Sequence, residues 1–300
     1  MQTVDLGSLA NRLVAERRVG SVVAVTSLST GNPALQRLDQ SGLDLLVSLQ
    51  YAEQEQASQP GARRLGGLAE LRHRAEAMAL WGRFDLAVVD PFHSYDSSWE
   101  CLGMALALLR PGGVMLVHDC LPPLELTQQS FVDGDWCGVT FAAFHDLCEA
   151  RGLHWFTLNA DFGIGVAVAT GPGSTASPAA DAVAQPLRSH EAALARYTLD
   201  PFLLMRAIDP DRLDDAVERV TAGRPVEELI DEFPGWPSAL NTETTPLPPD
   251  LRIAALEREL DRAWAQLDRL ARPRGQLAAL SRSVPRALRA RLHRARGRAT

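Results

Sequence analysis

Lysine is absent from this chain: all 30 basic residues are arginine, a bias that fits codon usage in a GC-rich genome better than any single site. Long apolar runs are missing too. None reaches the ~18 residues that a membrane-spanning helix needs, which excludes such a helix on hydropathy. The first residues, MQTVDLGSLANRLVAERR, lack the basic start and apolar block of a secretory signal, so a cytoplasmic location is expected. The four cysteines, Cys101, Cys120, Cys137 and Cys148, form no CxxC pair and are expected to be free thiols in a reducing compartment. No internal repeat is visible.

What is present suits a globular chain: 46% of the 300 residues are hydrophobic and 22% charged. The net charge of −7 is unevenly spread. Residues 274–300 hold eight arginines and no acid, which leaves about −15 on the rest.

Strand and helix signals alternate. Residues 5–18 have a helical apolar face, and 21–25 read as a first buried strand. Asn32-Pro33 opens a helix through Leu38, 43–49 is a second strand, and 63–65 a short third. A helix is expected over 68–81, with Leu68, Leu71, Ala75, Met78 and Ala79 on one face. Then comes FDLAVVDPFHSYDSSWECLGMALALLRPGGVMLVHD, residues 84–119. It reads as a strand ending in Asp90, a helix over 97–109, a Pro-Gly-Gly turn, and a strand over 114–118 ending in His118-Asp119. A helix over 138–151 precedes apolar runs at 154–158 and 163–169. Their link, Asn159–Phe162, is too short for a crossover helix, so these runs are expected to pair antiparallel. Alternation of this kind predicts an α/β fold: a Rossmann-like, doubly wound sheet, mostly parallel, closed by an antiparallel C-terminal hairpin.

Beyond this domain, over 1–170, the texture changes. A small-residue linker occupies 171–182, a helical extension 183–236 and a Pro-rich linker 237–250. Over 251–272, Ile253, Leu256, Leu260, Ala263, Leu267 and Leu270 fall on a/d spacing, enough for a short coiled coil and a homo-oligomer contact. The Arg-rich tail at 273–300 places Val284, Leu288 and Leu292 on one side of a basic helix, which suits an anionic membrane surface or another polyanion; a solvated tail is the plainer reading. The acidic remainder lacks interleaved aromatic and basic residues, so no specific nucleic-acid partner is expected.

With these segments in order, the chain resembles the class I S-adenosylmethionine-dependent methyltransferases, and within them the bacterial group related to macrocin O-methyltransferases. DPFHSY, LLRPGGVMLVHD, GDWCGVTFAAF and NADFGIGVAVA carry the resemblance, which spans roughly residues 18–170. It implies O-methylation of a small polar acceptor, such as a sugar hydroxyl of a glycan or natural product. It also implies S-adenosylmethionine at Thr26, Ser27, Gly31 and Asp90, and a divalent cation such as magnesium at Asp90, His118 and Asp119. The catalytic residues implied are His93, His118 and Asp119. Either imidazole titrates near neutrality and suits a general base. A structural reading has Asp90 capping its turn and His118-Asp119 bonding loop backbone.

The chain departs from the pattern at the donor side. Ala24 stands where an acid is expected, Thr26 and Thr30 where glycines are, and the second strand ends in Val47-Ser48-Leu49-Gln50 with no carboxylate. An inactive, scaffold-like relative working through its basic C-terminus is the alternative. Trp136 and Cys137 either close over an acceptor or pack at a helix entry. Tyr95 and Trp99 either wall a pocket or join the core, and Asp133 and Asp135 fit a solvated loop.

Overall fold

The computed structural model describes residues 4–17, 19–27, 38–53, 66–131, 136–169 and 185–233. Thr30, Gly31, the expected helix from Asn32, the short strand at 63–65, Asp133, Asp135, the linkers, the heptads at 253–270 and the Arg-rich tail lie outside them.

The elements are α1 (Leu6–Arg17), β1 (Ser21–Thr26), β2 (Leu45–Gln50), α2 (Leu68–Ala77), β3 (Phe84–Asp90), α3 (Tyr95–Leu108) and β4 (Leu109–Val117). After a one-turn 3-10 helix at Leu124–Leu126 come α4 (Thr140–Arg151), β5 (His154–Leu158), β6 (Ile164–Val168), α5 (His190–Tyr197), α6 (Pro201–Met205), β7 (Ala207–Ile208) and α7 (Leu213–Thr221).

Seven strands form one sheet in the order β2-β1-β3-β4-β6-β5-β7. The expected α/β architecture is the one found. β1, β2, β3 and β4 run parallel, and β6 runs antiparallel to both β4 and β5. The strands are apolar on both faces because both faces are covered. Val23, Val25, Ala87 and Val89 pack into one cluster with Leu71 of α2, Leu102 of α3 and Phe144 of α4. Val22, Leu86, Val88 and Leu116 pack into the other, with Leu9 and Leu13 of α1 and Val217 of α7. The stretch expected as a helical extension also feeds the sheet, since Ala207–Ile208 pairs parallel with Thr157–Leu158. Among the described residues no helix is long and apolar enough to cross a membrane.

Two boundaries differ from the sequence expectation. α2 stops at Ala77, not Trp81, because Ala79 turns into the left-handed region (φ 53). Leu80 then takes the buried place, while Met78 and Trp81 face solvent. The Pro-Gly-Gly turn lies within the span of β4 rather than ahead of it. Leu109 pairs with Phe84 and Val114 with Leu86, so Arg110–Gly113 bulge out opposite Asp85.

At the carboxyl edge the ladder continues one residue past the strands. Ser27 N–H donates to Asp90 O (3.0 Å), Tyr51 N–H to Thr26 O (3.1 Å) and His118 N–H to Val89 O (3.0 Å). This edge is where open parallel sheets gather polar groups.

Candidate functional site

Asp90 ends β3, and His118 and Asp119 follow β4, the strand hydrogen-bonded to it. The turn from β3 into α3 brings His93 back over the same edge. Its Nε2 lies 3.0 Å from Asp119 Oδ2 and 3.4 Å from Asp90 Oδ1. His118 Nδ1 is 3.5 Å from Asp119 Oδ1 and 3.9 Å from Asp90 Oδ1. Asp90, His93, His118 and Asp119, named from sequence, therefore meet in one place.

A fifth group, Asp161, escaped the sequence reading. Its Oδ2 is 3.4 Å from His118 Nε2 and also accepts the Leu6 N–H of α1 (3.0 Å). The signal lies in register: β6 runs antiparallel to β4 with Val117 opposite Gly165, so the β5–β6 turn must sit at the carboxyl end of β4.

The backbone is shaped to hold this cluster. Asp119, Asp161 and Phe162 all adopt positive φ (60, 50 and 58), a region disfavoured for residues with a Cβ. The β5–β6 turn clasps the segment after β4, with Cys120 N–H donating to Gly163 O (2.9 Å) and Leu121 N–H to Phe162 O (2.8 Å). The loop before α4 clasps His93. Its Nδ1–H donates to the carbonyl of Trp136, and Val139 N–H donates to His93 O (2.8 Å).

Charge in the cluster is strongly coupled. Burial alone would lower the His93 pKa, but the carboxylates of Asp119 and Asp90 outweigh it and push the ring up to about 10. His118 is also raised, because Asp119 and Asp161 overcome a desolvation penalty of opposite sign. For Asp119 burial acts upward, yet the two imidazoles hold it well below the usual carboxylate range. His118 lowers Asp161 in the same way, helped by the Leu6 amide.

Asp90, His93 and Asp119 each offer a donor atom within 4.8 Å of the other two, and form the one such cation-type group among the described residues. Two carboxylates with imidazole nitrogen suit a divalent ion. His118, named with the carboxylates from sequence, stands beside this trio rather than in it.

On the donor side Thr26 and Ser27 are buried at the end of β1. Glu53 supplies a carboxylate three residues beyond β2, accepting from Ser97 Oγ (2.6 Å) at the start of α3. Tyr51, fully buried, accepts the Phe92 N–H through its hydroxyl (2.8 Å) and fixes the β3–α3 turn.

The other aromatic candidates take the packing reading and join the core. Trp136 and Cys137 are buried, and Trp136 packs edge-on against Phe92 (5.1 Å) and Phe131 (5.4 Å). Tyr95 stacks on Trp99 (6.2 Å) and donates to Asp146 of α4 (2.8 Å). All four cysteines are buried and none forms a disulfide. A separate hollow of about 440 Å³ is lined by Glu149, Trp155, Leu203 and Arg206; there Arg206 lies over the Trp155 ring (4.5 Å) and pairs with Glu149 (3.1 Å).

No curated protein sequence matches the chain. Among solved structures, an O-methyltransferase from Bacillus cereus in complex with SAH is 16% identical, with a TM-score of 0.40, covering 55% of this chain and 80% of that one. Cofactor-bound Rv0187 from MTB is 17% identical, with a TM-score of 0.37, covering 55% and 77%. The MycE methyltransferase of mycinamycin biosynthesis, bound to Mg, SAH and mycinamycin VI, is 13% identical, with a TM-score of 0.33, covering 55% and 54%. At such values these likenesses assign no activity to this chain. The family comparison is more direct: residues 8–120, which contain β1 to β4 and both strand ends of the site, match the model of a methyltransferase domain.

Proposed function

We propose that this protein is an S-adenosylmethionine-dependent O-methyltransferase acting on a small polar acceptor, such as a sugar hydroxyl of a glycan or natural product, as in the macrocin-related group. One observation carries the reading. The methyltransferase-domain match over 8–120 takes in the two adjacent strand ends at which Asp90, His118 and Asp119 converge.

Methyl transfer needs an oxygen aligned with the donor and relieved of its proton. Alignment alone is worth up to roughly 7–11 kcal/mol. The cofactor, when bound, supplies an activated methyl group. Thr26, Ser27, Gly31 and Asp90 would hold it, with Glu53 giving the strand-end carboxylate that β2 itself lacks. A divalent cation at Asp90 and Asp119 with imidazole nitrogen would acidify the acceptor hydroxyl. His118 is the better placed base. Its Nε2 faces Asp161, the more exposed of its carboxylate partners (29% against 4% for Asp119). Because Asp119 and Asp161 raise its pKa, His118 acts as a base only in its deprotonated form, at higher pH; there Nε2 takes the proton and the same carboxylates stabilise the imidazolium.

Calorimetric titration of the purified chain with S-adenosylmethionine tests this reading. Saturable binding is expected, and silence at millimolar cofactor would leave the scaffold alternative standing. For the Arg-rich tail we propose peripheral docking on an anionic, cytoplasmic-side membrane, at about 1 kcal/mol per basic residue. The full chain is expected to float with anionic vesicles and a chain ending at Asp250 is not; equal flotation would refute the docking.

A further inference from the structure

The link between β5 and β6 closes in a tight turn. Gly163 N–H donates to Ala160 O (2.8 Å), and the two central residues, Asp161 and Phe162, both have positive φ (50 and 58). Hairpin turns with two such residues favour Asn or Asp at the first place and glycine at the second, since glycine has no Cβ to be crowded there. Asp161 follows that preference. Phe162 breaks it with a bulky aromatic side chain, which strains the backbone at its position.

Packing does not offset this strain. Phe162 is 39% exposed and belongs to neither apolar cluster of the core. Among the described residues its one ring partner is the His118 imidazole, edge-on at 6.3 Å. The backbone holds the ring there: Phe162 O accepts the Leu121 N–H (2.8 Å), and Asp161 ahead of it is tied to α1 through the Leu6 N–H. An exposed aromatic kept in a disfavoured conformation, on a loop beside a cluster of titratable groups, points to a ligand. Asp161 supplies a second contact. Both of its side-chain partners, the Leu6 N–H and His118 Nε2, use Oδ2, which leaves Oδ1 without a partner among the described residues.

We propose that Phe162 contacts the acceptor and sets its specificity: the aromatic ring takes the flat C–H face of a saturated, hydroxylated ring, and Asp161 Oδ1 accepts a hydroxyl from that ring's edge. The pair suits such a molecule because its faces are apolar and its rim is polar. An open-chain polyol offers the carboxylate the same hydroxyls but no face for Phe162. A ring seated on Phe162 lies beside His118, the residue that would take its hydroxyl proton. That catalytic meaning rests on the methyltransferase reading, while the binding claim rests on the turn alone.

The test uses the full chain and two probes, methyl β-glucopyranoside and the open-chain polyol sorbitol, read by saturation-transfer NMR, with thermal unfolding followed by circular dichroism. Wild type is expected to saturate the ring protons of the glucoside and to leave sorbitol untouched. Phe162→Gly should weaken glucoside binding about fivefold or more, through the apolar contact it removes. Its melting temperature should at the same time rise by about 2–4 °C, because glycine relieves the strain. Phe162→Tyr keeps the ring and should bind as wild type does. Asp161→Gly, also at ease at positive φ, should weaken binding too. A lower melting temperature for Phe162→Gly would make the ring structural and overturn the proposal. Sorbitol bound as well as the glucoside, or glucoside binding unchanged in Phe162→Gly, would do the same. Calorimetry with S-adenosylmethionine separates the two readings. A wild type that binds the cofactor but no glucoside refutes the Phe162 assignment alone. Glucoside bound through Phe162 by a chain that ignores the cofactor upholds the assignment and refutes the methyltransferase reading.

Discussion

Replacing Gly163 with alanine is expected to destabilise the protein by about 3–5 kcal/mol, at the upper end of single-residue effects. Two costs combine. Gly163 sits at φ 87, and an added Cβ would lie 2.0 Å from Leu121 N and 2.3 Å from Leu121 Cβ. Neither neighbour can yield, because Leu121 N–H is bonded to Phe162 O and Cys120 N–H to Gly163 O. Relief would have to separate the β5–β6 turn from the segment after β4, which draws Asp161 away from His118. Thermal unfolding followed by circular dichroism should show a fall of roughly 10 °C or more, at about 2–4 °C per kcal/mol for a domain of this size. Gly112→Ala is the control: it also has positive φ, but no atom lies within 4 Å of the added Cβ, so only the backbone strain applies. Equal effects at both positions would refute the packing argument.

Asp119→Ala should be comparably severe, at about 3–5 kcal/mol, for a different reason. It removes the carboxylate that both His93 and His118 face and leaves buried positive charge without its nearest partner. The effect has a pH signature in metal-free protein. The folded-state pKa of His93, about 10, lies above its ordinary value of 6.5. Stabilisation from its carboxylate partners is therefore complete below about pH 6.5 and is lost as pH rises through about 10. Chelator-treated wild type should lose stability across that window, measured by urea midpoints. Asp119→Ala should start lower and change less. A wild-type midpoint that is flat from pH 6.5 to 10 would show that His93 is not held charged by these carboxylates.

Much of this architecture is written in local pattern. The strand and helix alternation read correctly because strands buried on both faces leave unbroken apolar runs, as in FDLAVVD. The four-residue link at Asn159–Phe162 is too short for a crossover, and the runs it joins pair antiparallel. Asp90, His118 and Asp119 were legible because they stand at the ends of such runs, and His93, three residues past β3, because of the DPFHSY resemblance. Three things were not. Ala207–Ile208 is too short to show a period, yet it forms the seventh strand. Glu53 lies beyond the end of its strand, and only the approach of Ser97 marks its position. Asp161 looked like an ordinary hairpin residue, because its partner, His118, is distant in sequence and is brought near only by the β4–β6 register. Side chains that act across a sheet edge leave no trace in the spacing of their own segment.

The carbonyl of Trp136 has one more implication, for how this site can diversify. The group that orients His93 is main chain, so no exchange of a side chain at position 136 removes it. What can alter it is the path of the backbone over residues 136–139, through insertion, deletion or loss of Gly138. A lineage that rebuilds this loop to admit a different molecule moves His93 at the same time. The shape of the site and the orientation of His93 are thus inherited together, and descendants with altered loops should show a displaced His93 even where Asp90, His93 and Asp119 are all retained.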